Sequence, residues 1–133
     1  MIILSDFPPT AQKRPRVTRF VTYDPSKKDK AEFLKTVLFQ LPKAPLTTAI
    51  QLQIAFKFAR PKSHFKRNGT LLPSAPELHT KKPDIDNLIK FVLDALNGYL
   101  YVDDSQIISI SASKSYASLS CIEIRIEEKK GCN

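Results

Sequence analysis

The sequence predicts an α+β fold: a small mixed β-sheet with two main helices packed on one face, in a single domain over 1–133. Three observations lead there. Residues 49–59, AIQLQIAFKFA, alternate with period two, which marks a strand with one core face and one wet face. Two other segments space their apolar residues at i, i+3, i+4 and i+7, as amphipathic helices do. The order of these elements along the chain reads as α+β.

Residues 1–4 read as a short strand. From Pro8 to Arg16, proline breaks and the cations Lys13, Arg14 and Arg16 predict an extended basic arm or loop. Val17 to Tyr23 mixes β-branched and aromatic residues and reads as strand. Ser26 with Asp29 three residues later resembles a capping box. A helix is predicted from about Lys27 to Gln40, with Phe33, Leu34, Val37, Leu38 and Leu41 as its apolar stripe and Pro42 and Pro45 ending it. Beyond the 49–59 strand, Arg60 to Pro83 is a polar, basic loop holding His64, His79 and the turn pair Asn68-Gly69. A loop of that length is functional or disordered. The second helix is expected from about Asn87 to Leu100. Strands at roughly 106–116 and 119–127 close the chain, joined by a tight turn near Ala117-Ser118. In the first, Ser109, Ser111, Ser113 and Ser115 alternate with Ile108, Ile110, Ala112 and Lys114.

The chain of 133 residues is long enough for one ordinary core and short for two. Lys+Arg is 21 and Asp+Glu is 13, a formal net charge of +8. That balance suits a polyanion partner, and it also suits a merely soluble basic protein. No apolar run is long enough to cross a membrane. The N-terminus lacks the basic region of a signal peptide, so a cytoplasmic location is expected. Cys121 and Cys132 lack metal-ligand spacing and are expected to be free thiols.

Within this basic chain, Asp84, Asp86, Asp103 and Asp104 gather around the second helix. Ile85, Leu88, Ile89, Val92, Leu93 and Leu96 define its buried arc, and Asp86 and Lys90 share one edge of it. Pro83 disfavours helix at Lys82, so Asp84 is expected in extended chain and Asp86 near the N-cap, both facing one point. For Asp104 to join them, residues 99–104 must run back along the helix. Carboxylates gathered in a basic protein suit Mg²⁺, a hard cation held by a few carboxylates plus water and phosphate oxygens, as metal-assisted phosphodiester hydrolysis requires. A lysine such as Lys90 can add a cation at the transition state. Each residue also has a bland reading. Asp86 can be a plain N-cap, Lys90 and Asp94 an i, i+4 pair, and Asp103-Asp104 a turn. His64 and His79, in a polar loop, are not expected to be ligands.

The segment HTKKPDIDNLIKFVLDALNG, residues 79–98, followed by Val102-Asp103-Asp104-Ser105-Gln106-Ile107, resembles the RusA family of Holliday-junction resolvases. It is similar to that family's D-x-D-N-L-x-K helix motif and its D-D-x-Q-[IV] segment. Pro8 with Lys13-Arg14-Pro15-Arg16 resembles the basic arm of Gram-positive-type members. The resemblance implies a homodimer of RusA-like α/β subunits that binds four-way DNA junctions and nicks two opposed strands with Mg²⁺, Mn²⁺ being able to substitute, in DNA recombination and repair. It further implies Asp84, Asp86 and Asp104 as metal-holding residues, Lys90 as a participant in the chemistry, and Asp103 in support. Lys13, Arg14, Arg16, Lys81 and Lys82 are the expected DNA contacts. Lys81 and Lys82 stand where some members carry arginines, so they meet phosphates as point charges. Two other functions compete: a non-catalytic basic DNA-binding module, and a looser branched-DNA or flap nuclease. The serine face of the 107–116 strand and the 49–59 strand are the candidate dimer surfaces.

Overall fold

The computed structural model describes residues 1–130. Its order is β1 (Ile2–Ser5), β2 (Arg16–Val17), β3 (Thr22–Tyr23), α1 (Lys27–Val37), β4 (Ala49–Ala59), α2 (Ile85–Leu96), β5 (Ile107–Ala117) and β6 (Cys121–Lys129). Four strands form one mixed sheet in the order β1-β6-β4-β5, and β2 and β3 pair with each other in a separate ribbon. The α+β class and the mixed sheet are as the sequence predicts. Cys121 is a free thiol; Cys132 lies outside the described residues.

β4 is the axis of the sheet. Its even-numbered residues Ile50, Leu52, Ile54 and Phe56 are buried, and they meet Ile122, Ile124 and Ile126 of β6 and Ile3 of β1 on one face. Phe33 and Val37 of α1 and Leu88, Phe91, Val92, Ala95 and Leu96 of α2 close that core. Each Val, Leu, Ile or Phe side chain among them contributes on the order of 1.5–3 kcal/mol by leaving water. Phe7, Phe33 and Phe91 pack ring against ring at centroid separations of 5.9–6.1 Å, pinning α1 to α2.

Four local expectations change. The strand expected over 17–23 is a hairpin of two-residue strands, because Thr18 turns the chain by binding Val21 with both backbone and hydroxyl. The capping box at Ser26 does not form. Its buried hydroxyl accepts the Lys13 N–H at 2.9 Å and anchors the arm instead. The second helix begins two residues earlier than expected, with Asp84 as its N-cap. It also ends earlier, at Leu96, where Gly98 at φ +83° turns the chain. Finally, the turn after β5 does not make a hairpin. β5 runs parallel to β4, β6 antiparallel to it, and Ser120 crosses the end of β4 by accepting the Ala59 N–H at 2.9 Å.

The 60–83 loop is held against the sheet. Tyr116 N–H donates to Glu77 O at 2.9 Å, His79 N–H to Lys114 O at 3.2 Å, and Arg60 N–H to Ala117 O at 3.2 Å. It covers the last residues of the β5 edge.

Candidate active site

Asp84 sits where extended chain becomes helix, at φ −72° and ψ 145°. Its side chain makes no capping hydrogen bond, so its carboxylate is not consumed by the helix. Asp86 lies in the first turn of α2, and one of its oxygens accepts the Asn87 N–H at 2.9 Å. Asp84 is thus in extended chain, and the N-cap is Asp84 itself, with Asp86 two residues inside the helix. They still share one open depression, lined also by His79, Thr80, Ser113 and Lys114. The N-terminal end of a helix carries partial positive charge, which favours two anions there.

Lys114 positions the approach to this depression. Its ammonium donates to Lys81 O at 2.6 Å and to Pro83 O at 2.7 Å. Those bonds tie the chain immediately before Asp84 to β5. Sequence reasoning passed over Lys114, although it is the lone cation on the β5 parity that otherwise carries Ile110 and Ala112. His79, not expected to be a ligand, also lines the depression. Its ring stacks on Phe58 at 3.9 Å and packs on Tyr116 at 5.0 Å. Burial, aided by the positive charges of Lys114 and Lys81, lowers its pKa and keeps it neutral. Its Nδ1 is buried without a partner.

Lys90 follows Asp86 by one helical turn and is exposed. Its expected alternative partner, Asp94, is engaged elsewhere. Lys30 of α1 bridges Asp24 at 2.6 Å and Asp94 at 3.3 Å, and this bond to Lys30 lowers the Asp24 pKa. Among the described residues Lys90 has no ion pair.

Asp104 does not meet Asp84 within one chain. It begins a short 3₁₀ turn, Asp104–Gln106, beyond the C-terminal end of α2. There the buried Tyr101 hydroxyl donates to Leu93 O at 2.6 Å. Burial, with the negative charges of Asp104, Asp94 and Asp103 nearby, raises the pKa of that hydroxyl. A helix of 12 residues is about 18 Å long. The same separation follows along β5, where Ser113 lies six residues beyond Ile107, roughly 20 Å. Residues 99–104 do not run back along the helix, because Leu46 N–H binds Leu100 O at 2.9 Å and Val102 N–H binds Leu46 O at 3.2 Å. Among the described residues no group of three or more His, Cys, Asp and Glu side chains could hold a metal ion. Asp103 is a cap. It accepts the Ser105 N–H at 3.2 Å, while its own N–H donates to Gln106 Oε1 at 2.8 Å, and the Ser105 bond lowers its pKa. Both are exposed, and among the described residues Asp104 is the member of the pair whose carboxylate accepts no hydrogen bond.

The expected DNA contacts lie on the two segments that meet the start of α2. Lys81 and Lys82 are exposed just ahead of Asp84. Lys13, Arg14 and Arg16 are exposed on the arm, whose root is held to the first turn of α2 by a Gln12 N–H to Asn87 O bond of 3.0 Å.

Comparison with known proteins bears on the family. The family model described as Endodeoxyribonuclease RusA matches residues 6–127. The chain is also 32% identical over 128 residues to the uncharacterized protein YqaN of Bacillus subtilis (strain 168), covering 90% of each chain.

Proposed function

The chain belongs to the RusA family of endodeoxyribonucleases, which are Holliday-junction resolvases, and from that premise we propose that it nicks two opposed strands of a four-way junction with Mg²⁺, as a cytoplasmic homodimer acting in recombination and repair. Family members are generally divalent-metal dependent. The observation that carries the reading is the pair of exposed carboxylates, Asp84 and Asp86, in a depression lined also by Lys114 and preceded in the chain by Lys81 and Lys82. Their chemistry fits the metal, since Mg²⁺ is held by one or two carboxylates plus waters and substrate phosphates. When bound, the ion supplies a nucleophilic water at neutral pH and offsets charge growing on the phosphate. Asp84 and Asp86 would hold it. Lys90, free of an ion pair, faces the developing negative charge. Lys81, Lys82, Lys13, Arg14 and Arg16 hold flanking phosphates.

The place of Asp104 suggests how the dimer completes this site. β4, one of the candidate dimer surfaces, is central and paired on both sides. β5 is an edge strand, covered only over its last residues, with Ile108 61% and Ile110 38% exposed. A long apolar edge is a template for pairing. Two copies of β5 pairing antiparallel about a two-fold axis at Ile110 would set Ile107 opposite Ser113 of the other copy. Asp104 of each copy would then approach Asp84 and Asp86 of the other, and two such sites suit two symmetric nicks.

The test is nicking of a labelled four-way junction in Mg²⁺. Asp84→Asn, Asp86→Asn and Asp104→Asn each abolish nicking and keep junction binding. Mixing the Asp84→Asn and Asp104→Asn proteins restores one intact site per heterodimer and recovers part of the activity. Near wild-type nicking by any single variant refutes the assignment, and a mixture that stays inactive refutes the shared site. Binding without metal-dependent nicking by the wild type would mark a DNA-binding module.

A further inference from the structure

Every residue from Lys13 to Tyr23 is exposed. Among the described residues β2 and β3 pair only with each other, through Arg16 with Tyr23 and Val17 with Thr22. So short a ribbon gains little from its own contacts. Its turn holds Phe20, 87% exposed, flanked by Val17 at 77% and Val21 at 59%. The Arg19 guanidinium lies 5.7 Å from the Phe20 ring centroid. The same segment carries Lys13, Arg14, Arg16 and Arg19 and no acidic residue.

An apolar tip on a cationic arm fits neither a core nor a solvated loop. It fits nucleic acid, where cations take phosphates and an aromatic ring takes the face of a base. The arm leaves the body at the first turn of α2, through Gln12 to Asn87 O and Lys13 to the Ser26 hydroxyl. Phe20 lies seven residues beyond Lys13 and can reach up to about 23 Å from that root. DNA positioned with a phosphate at Asp84 and Asp86 thus has bases several steps away within reach of the tip. In continuous duplex those bases are stacked, and a ring enters only by prising a step apart. At a four-way crossover the stack is already interrupted, so entry costs least there.

We propose that Phe20 is a stacking wedge that enters the branch point of a four-way DNA junction and supplies preference for junction over linear duplex. The arm's cations hold both forms alike. This rests on the nuclease reading above and adds to it the element that senses branching.

The test uses the full chain with EDTA, a four-way junction carrying 2-aminopurine at the branch point, and a linear duplex of the same sequence. Phe20→Ala lowers junction affinity about tenfold and leaves duplex affinity within about twofold. The 2-aminopurine signal change produced by the wild type disappears in Phe20→Ala and returns in Phe20→Trp. The melting temperature is unchanged, since the ring packs against no core residue. Phe20→Ala that binds junctions like the wild type, or loses junction and duplex affinity equally, overturns the wedge. That result would leave the nuclease reading standing if the wild type nicks junctions in Mg²⁺. A wild type that does not bind junctions overturns both.

Discussion

Replacing Lys114 with Met keeps most of the aliphatic stem and removes the ammonium that holds Lys81 O at 2.6 Å and Pro83 O at 2.7 Å. A hydrogen bond to a charged group contributes about 1.5–3 kcal/mol. Both bonds are partly open to water, so each is worth about 1–1.5 kcal/mol, at or below the lower end, and the pair about 2–3 kcal/mol. At about 2.1 cal/mol/K of unfolding entropy per residue, a chain of 133 residues loses about 3–4 °C of Tm per kcal/mol. Lys114→Met should therefore melt roughly 7–11 °C below the wild type. The freed segment ends at Asp84, and a displacement of about 1 Å at a reacting group costs about 100-fold in rate. Single-turnover nicking under saturating protein should fall by about that factor, while junction affinity stays within a few-fold. Calorimetry and the nicking assay read the two effects separately. A Tm within about 2 °C of wild type would show that the two bonds do not hold the segment. A lowered Tm with an unchanged nicking rate would show that the segment does not position Asp84.

Lys90→Ala should slow single-turnover nicking far more than it weakens binding. Asp94→Ala should leave nicking intact and lower stability by up to about 1 kcal/mol, because its partner is Lys30; equal rates for the two variants would refute the role given to Lys90. His79 binds a proton less readily folded than unfolded, where its pKa is near 6.5. Stability present above pH 6.5 should therefore decline as pH falls through and below that value. Urea midpoints from pH 7.5 to 5.5 should show this decline in the wild type and less of it in His79→Phe; parallel profiles would exclude His79 as the cause. Ile110→Lys places a charge on the β5 edge and should yield a monomer by analytical ultracentrifugation that no longer nicks junctions. An Ile110→Lys dimer with full activity would place the interface elsewhere.

Periodicity within a segment was enough to identify most elements. The alternation over 49–59 marks β4 to the residue, and the stripe from Phe33 to Leu41 marks α1 with the 3₁₀ turn that follows it. Such patterns are local consequences of which face each residue must bury. The family was also legible from the DxDN helix start, the i+4 lysine and the Asp103-Asp104 pair. Partners distant in sequence were not. Asp94 is claimed by Lys30, 64 residues away, rather than by Lys90. The Ser26 hydroxyl is claimed by the Lys13 backbone rather than by its own helix. Lys114 reaches carbonyls 31 and 33 residues back. Helix length, not motif spacing, sets Asp104 apart from Asp84, by about 18 Å along α2. Side-chain charge and hydrogen-bonding capacity are written in the sequence. Which of several possible partners each group meets is decided only when the sheet order β1-β6-β4-β5 brings remote segments together, because a hydrogen bond depends on distance and direction rather than on position along the chain.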